Sequence, residues 1–174
     1  YLDTAIDTGT GTGDGIAILD LSSYVDPIAR GRSKGTGLAI YKVHFDVCDD
    51  NGNDPVAATA TGQFRAGMIS FSGAPAAAVG SASLSSNVLN ASNDLMIAGV
   101  NFAAGGTAAG DPAQFTFLEP SKEVPYVVVR DQVALMISVI TGMSAGASVK
   151  VRLECAQVTL DQSTLNQLLR TQTV

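Results

Sequence analysis

The stretch LAIYKVHFDVC, residues 38–48, decides the fold class. Its side chains alternate between two faces, as they do in a β-strand, where successive residues point to opposite sides. One face carries Ala39, Tyr41, Val43, Phe45 and Val47, and the other carries Ile40, Lys42, His44, Asp46 and Cys48. This period of two predicts an antiparallel strand with one face against a core.

The segment DDNGNDP, residues 49–55, follows this strand directly. Its Asn-Gly pair favours the positive φ angles of a chain reversal, so a turn is the first interpretation. The oxygens of Asp49, Asp50, Asn51, Asn53 and Asp54 leave calcium as an alternative cofactor, because Ca²⁺ takes about six to eight oxygen ligands. The spacing departs from an EF-hand loop, in which the sixth position is Gly and not the Asp found here. No other cofactor is expected.

The rest of the chain carries further strand-like segments, and the C-terminal third is the richest in them. Residues 133–140 are apolar on both faces, which predicts a strand covered on both sides, within the domain or by a neighbouring subunit. The candidate interface residues are therefore Val133, Leu135, Met136, Ile137, Val139 and Ile140. The remaining predicted strands are 15–21, 62–71, 95–102, 114–118 and 148–160.

Two local features near the C-terminus refine this picture. Within residues 148–160 the apolar residues occupy odd positions up to Cys155 and even positions from Ala156 onward, so they change from one strand face to the other. This change predicts a β-bulge there. After Asp161 and Ser163, which can cap a helix, three leucines predict one short helix.

The spacing of the strands predicts an all-β fold, an antiparallel β-sandwich of about eight strands with one short C-terminal helix. A single jelly roll fits better than an immunoglobulin domain, whose core Trp is absent. We expect a flexible N-terminal arm over residues 1–14, the sandwich over 15–162 and a helical tail over 163–174. The long small-residue stretches 73–93 and 103–113 are expected to run between the sheets or at one end.

Composition narrows the classes of function. The 174 residues contain one His, two Cys and no Trp, and the net charge is −6. Such acidity argues against general affinity for nucleic acid or an anionic membrane. Cys48 and Cys155 are too far apart for a CxxC metal site, so we expect free thiols. The scarcity of catalytic residue types favours a protein that works through its surfaces.

Three segments resemble the opening of small single-jelly-roll capsid proteins from tailless icosahedral viruses of bacteria and archaea. They are GIAILDLSSY (15–24), Arg30-Gly31-Arg32 and AIYKVHF (39–45). The resemblance implies an eight-stranded jelly roll repeated many times in a closed shell. The low charge and the many small residues are compatible with such close subunit packing.

The charge layout bears on what such a shell would enclose. Residues 1–29 contain five Asp and no Lys or Arg, so this terminus would repel a genome. We therefore expect copies of the chain itself as partners and no direct nucleic-acid binding. A second coat protein or an inner membrane layer would then separate the shell from the nucleic acid.

Other candidate sites give weaker patterns. Residues 8–15 (TGTGTGDG) precede a strand and lack the ending of a phosphate loop. His44, Asp46 and Cys48 share a strand face but span about 13 Å, too far for one metal or a catalytic triad. The basic cluster Arg30, Arg32 and Lys34 fits a solvated loop, and Asn90-Ala91-Ser92 is a formal glycosylation sequence.

The leading hypothesis is a non-enzymatic capsid subunit located in the virion. A pilus, surface filament or adhesin subunit, extracellular or on the cell surface, is the alternative, in which the N-terminal segment completes a neighbour's sheet. A carbohydrate-binding or hydrolytic sandwich is the third, weakened by the missing Trp and by acid chemistry limited to Glu119, Glu123 and Glu154.

Overall fold

The computed structural model describes residues 1–26, 34–70, 88–105 and 112–172. Within these residues the chain forms nine β-strands and then one α-helix. The strands are β1 Leu2–Asp7, β2 Gly11–Asp20, β3 Lys34–Asp49, β4 Thr61–Ser70, β5 Met96–Gly105, β6 Ala113–Leu118, β7 Tyr126–Val128, β8 Gln132–Met143 and β9 Ala147–Asp161, and the helix is α1 Gln162–Thr171.

The strands form two antiparallel sheets, which confirms the predicted β-sandwich. Sheet A has the order β1-β9-β3-β7, and sheet B has the order β2-β8-β4-β5-β6. Apolar side chains between them form the main core, where the rings of Phe64 and Phe102 stack with centroids 4.9 Å apart. Burial of such side chains is the dominant favourable contribution to folding.

The strand pairs are nested along the chain. β1 pairs with β9, β2 with β8, β3 with β7, and β4 with β5, while β6 adds one more strand beside β5. A long antiparallel hairpin that is wound into two sheets gives this order. The loops after β1, β3 and β8 meet at one end, where Ser144 N donates to Thr61 O.

The prediction of a flexible arm over residues 1–14 is wrong. Residues 2–7 form β1, which pairs with β9 from Leu2 opposite Leu153 to Asp7 opposite Ser148. Leu2 and Ile6 pack against the main core, while Asp3 and Asp7 are exposed. This alternation is a strand pattern, and the glycines of residues 9–15 lie in the turn and in β2.

Strand β3 has one extra residue at Tyr41. Ile40 pairs with Cys155 and Lys42 with Glu154, so Tyr41 is left between two pairs. The sequence predicts this bulge on β9, near Cys155 and Ala156. The structure has it on the paired strand, β3. It places Leu38 and Ile40 on the same side as Val43, so the predicted single face through Ala39 and Tyr41 is wrong.

The helix α1 follows β9 without a loop, as the sequence predicts. The side chain of Asp161 caps it by accepting a hydrogen bond from Thr164 N at 2.6 Å. Leu165 is fully buried and lies over Gly35, where a Cβ atom would come within 2.8 Å of Leu165 Cδ2. The helix therefore covers the outer face of sheet A at this end, which explains why Leu160 is apolar there.

The buried side chain of Gln172, just after α1, attaches the end of the helix to both sheets. Its Nε2 donates to Val127 O at 2.6 Å, and its Oε1 accepts from Val129 N at 3.2 Å and from Ser70 Oγ at 3.4 Å. Val127 O and Val129 N lie at β7, so one amide occupies the place that a neighbouring strand would take at this edge.

A second apolar cluster covers the outer face of sheet B. Its buried members are Ile69, Leu89, Met96, Ala134 and Met136. Gly67 and Gly99 pair across β4 and β5 beneath it, and a Cβ atom at either position would lie within 3 Å of Met96 Cε. The absence of two side chains makes room for this covering layer.

Tyr126 gives the sandwich a predictable sensitivity to alkali. Burial raises the pKa of Tyr126 to about 12, and its hydroxyl donates to Asp94 O at 3.0 Å. Because the pKa is raised above the unfolded value of about 10, the stabilisation is present below pH 10 and lost as pH rises through 12. Two pKa units correspond to about 2.7 kcal/mol, an upper limit because the ring is partly exposed. Urea unfolding at pH 8 and pH 11 should show a larger loss for the wild type than for Tyr126→Phe, and equal losses would contradict this role.

Candidate functional site

The outer face of sheet A carries a charged groove of about 780 Å³. Cross-strand pairing builds it in rows, since residues paired on adjacent strands lie on the same face. One row is Asp3, Arg152 and His44, and the next contains Lys150 and Asp46. The strand order of sheet A brings these residues together from β1, β9 and β3.

One hydrogen-bonded pair and one ion pair organise the groove. His44 Nε2 lies 2.8 Å from Glu154 Oε1, and Arg152 Nε lies 2.9 Å from Asp3 Oδ1. The Arg152 guanidinium also lies over the ring of Tyr1, 5.8 Å from its centroid. The hydrogen bond from His44 lowers the pKa of Glu154, so this carboxylate stays charged in mildly acidic solution.

Four polar side chains of this groove pair with one another, as His44 with Glu154 and Arg152 with Asp3. His44 is engaged with Glu154, and no serine or cysteine lies among the residues that line the groove. The pairs are largely exposed, so each contributes little stability.

The structure separates the three residues that share a face of residues 38–48. His44 and Asp46 lie in the groove, whereas Cys48 is buried at the end of β3 and its thiol donates to Ser148 O at 3.5 Å. Both Cys48 and Cys155 are free thiols, as predicted, and burial raises the pKa of each. A raised thiol pKa lowers reactivity toward oxidants.

The acidic segment after β3 is a closed turn. Asp49 Oδ1 accepts from Asn53 N at 3.0 Å and from Asp54 N at 3.2 Å, and Asp49 Oδ2 accepts from Asn51 Nδ2 at 3.1 Å. Gly52 has φ +73°, and Lys150 Nζ donates to its carbonyl oxygen. The Asp49 carboxylate is thus engaged by donors and the Gly52 carbonyl by an ammonium group, which favours the turn over calcium binding at Asp49, Asp50, Asn51, Asn53 and Asp54.

Asp49 can be tested as a turn acceptor. These hydrogen bonds lower the pKa of Asp49, so its stabilisation is present above its unfolded pKa and is lost as pH falls through the folded pKa. We expect Asp49→Ala to lower the urea midpoint at pH 7 and to converge with the wild type in strong acid. Asp50→Ala is the matched control and should leave the midpoint unchanged. A melting temperature that rises on adding calcium to the wild type, but not to Asp49→Ala, would restore the metal interpretation.

Most of the predicted interface residues on β8 are buried within the domain. Val133, Leu135, Ile137 and Val139 belong to the main core, and Met136 belongs to the second cluster. The interface prediction is wrong for these five, because the domain itself covers both faces of β8. Ile140 alone among the six is exposed, at 55%.

Several other predicted features can be placed. Arg30 and Arg32 lie outside the described residues, and Lys34 begins β3. Asn90 and Ser92 form a local turn in which Ser92 N donates to Asn90 Oδ1 at 3.0 Å. Stretches 73–93 and 103–113 lie partly outside the described residues, and residues 88–95 contribute Leu89 to the cover of sheet B.

Sequence reasoning missed one polar residue that organises sheet B. Arg65 on β4 donates to Asn101 Oδ1 and to Leu89 O, both at 2.8 Å, and its guanidinium lies 4.7 Å from the Phe117 ring centroid. It joins the covering segment to β5 and β6. An arginine inside the apolar strand 61–70 was the available indication, because a buried charge needs partners.

Comparisons and residue searches assign no class to this groove. No known protein family matches the chain, and none of the curated proteins or solved structures that were compared is similar to it. Across the described ranges, no group of three or more His, Cys, Asp or Glu could hold a metal ion. In the same ranges, no helix is long and apolar enough to cross a bilayer.

Proposed function

We propose that this chain is a structural subunit that works by self-association, as a single-jelly-roll subunit of an icosahedral viral shell, without catalysis. The nested pairing of β1 with β9, β2 with β8, β3 with β7 and β4 with β5 is the observation that carries the proposal. This is the strand order that the capsid resemblance implies. Because folds host many functions, the surface must supply the rest of the argument.

The surface combines compensated charge with exposed apolar side chains. In the groove of sheet A, acids and bases pair with one another across three strands. Elsewhere Phe115 is 61%, Ile140 55% and Ile18 53% exposed, although the interior is filled with side chains of almost no exposure. These exposed apolar side chains are candidates for contact with another copy of the chain.

The proposed partners are other copies of the chain, with a second coat protein or an inner membrane layer between shell and genome. Asp3 and Asp7 belong to β1 and Asp14 and Asp20 to β2, so the negative charge of the N-terminus is spread over two edge strands. We propose a place in the virion without direct nucleic-acid contact. Nucleic acid that co-purifies in stoichiometric amounts with the shell and cross-links to the chain would overturn that part.

The filament alternative requires a segment that leaves its own fold. In pilus-like assembly an N-terminal strand completes a neighbour's sheet. Here β1 completes its own sheet by pairing with β9 over six residues. Its use inside the monomer favours closed assembly through outer surfaces and edges.

Size-exclusion chromatography with light scattering, followed by negative-stain microscopy, tests the proposal. Closed particles, or stable trimers, pentamers or hexamers that precede them, are the expected result. Threads would favour the filament subunit. A persistent monomer at high protein concentration would overturn self-assembly.

A further inference from the structure

Three of the four sheet edges are protected against another strand. On β1, the edge of sheet A, Asp3 and Asp7 are exposed. The β2 edge of sheet B contains a register shift between Gly11 and Gly13. At the other edge of sheet A, β7 has only three residues and its outer side is bound by Gln172, and beyond β7 the edge passes to β3, where Phe45 O accepts from Gln114 Nε2 at 3.1 Å. Charges, irregular register and short strands are the devices by which proteins block edge pairing.

The fourth edge, β6, has one of these features only near its end, where the register with β5 shifts and leaves Phe117 between two pairs, while residues 113–116 pair regularly. Its sequence AQFTFL, residues 113–118, has no charge and no proline. Within the described part of the chain β6 pairs with β5 on one side, and no strand pairs with its other side. Gln114, Phe115 and Thr116 are exposed at the middle of the strand. A neutral edge that is regular over residues 113–116 and exposes an aromatic ring is an open template for a strand.

We propose that β6 pairs antiparallel with β6 of a second copy across a two-fold axis, joining two copies of sheet B into one continuous sheet. The inference rests on the proposed self-association and names the surface that carries it. A two-fold axis places identical strands antiparallel, so each backbone donor meets an acceptor of the same segment. With the axis beside Phe115, the two Phe115 side chains lie opposite each other, and Gln114 faces Thr116 of the second copy.

Charge favours a second copy at this edge. The chain carries a net charge of −6, so contact between two copies is repulsive over most of the surface. The strand β6 is neutral over all six residues, which allows identical segments to approach. Phe115 rings at opposed positions lie about 4.5–5.5 Å apart at Cβ and can stack. A single pair of short strands is weak alone, but a shell repeats the contact many times.

Two opposite charges at one position test this pairing. Phe115→Lys and Phe115→Glu are each expected to raise the dissociation constant of the dimer by at least about tenfold, because like charges would oppose each other across the axis. An equimolar mixture should recover dimers, since Lys and Glu then face each other. Ile18→Lys is the matched control, because Ile18 is 53% exposed on β2 and lies on the protected edge. Light scattering and native mass spectrometry measure the oligomers, and circular dichroism checks that each variant is folded.

The outcomes separate this inference from the proposed function. If both charged variants assemble like the wild type, β6 is not the contact, and self-assembly stands on another surface. If both fail and the mixture does not recover, the partner of β6 is a different surface, which also overturns the two-fold pairing. If the wild type stays monomeric in every condition, the proposed function and this inference both fail.

Discussion

A single methyl group added at Gly99 is expected to destabilise the protein by about 1–3 kcal/mol. A Cβ atom there would lie 2.3 Å from Phe117 Cζ and 2.4 Å from Met96 Cε, both side chains of the layer that covers sheet B. The cost is steric, because no positive φ is recorded at this glycine. Gly99→Ala therefore reports on the packing of the cover against the sheet.

The measurement is urea unfolding of Gly99→Ala against Gly13→Ala. Gly13 also lies in a strand of sheet B, and a Cβ atom there would meet nothing within 4 Å. A second substitution, Phe117→Leu, should recover part of the loss at Gly99, since it removes the ring atoms that the methyl group meets. Equal stabilities of the two alanine variants would mean that the cover is not packed on Gly99.

The strands were predictable where polar and apolar residues alternate without interruption. Residues 43–47 of β3 do so, and their faces were placed correctly. Residues 38–41 are apolar at every position, so alternation alone could not locate the extra residue at Tyr41. The covering layer on sheet B was not predictable because Gly67 and Gly99 act there by leaving space, which a sequence pattern does not distinguish from a turn or a bulge.

The strand pattern predicts part of the candidate site, and the other part depends on which strands pair in the fold. Residues 38–48 placed His44 and Asp46 on one exposed face, but their neighbours come from the two ends of the chain. Asp3 and Arg152 are 149 positions apart and meet because the first strand pairs with the last. No local pattern gives that register. The nested order has to be known before the charged groove can be recognised.

Gln172→Ala is expected to reduce the free energy of unfolding by about 2–4 kcal/mol, because it leaves buried backbone groups without partners. The side-chain amide accepts from Val129 N and donates to Val127 O, and Gln172 is only 4% exposed. Gln167→Ala, in the helix that precedes Gln172, is the matched control. Its side chain is exposed, so its effect should stay within about 0.5 kcal/mol.

Gln172 also protects the β7 edge, and this second role has its own readout. Without the amide, Val127 O and Val129 N can bond to another strand, so Gln172→Ala should form irregular aggregates that persist when Phe115→Lys is added. Hydrogen exchange should show faster exchange at the Val129 amide in Gln172→Ala, with amides in the middle of β8 retaining their protection. If Gln172→Ala unfolds like Gln167→Ala and the Val129 amide stays protected, Gln172 does not hold the sheets together. In that event the edge of β7 is closed by its short length alone.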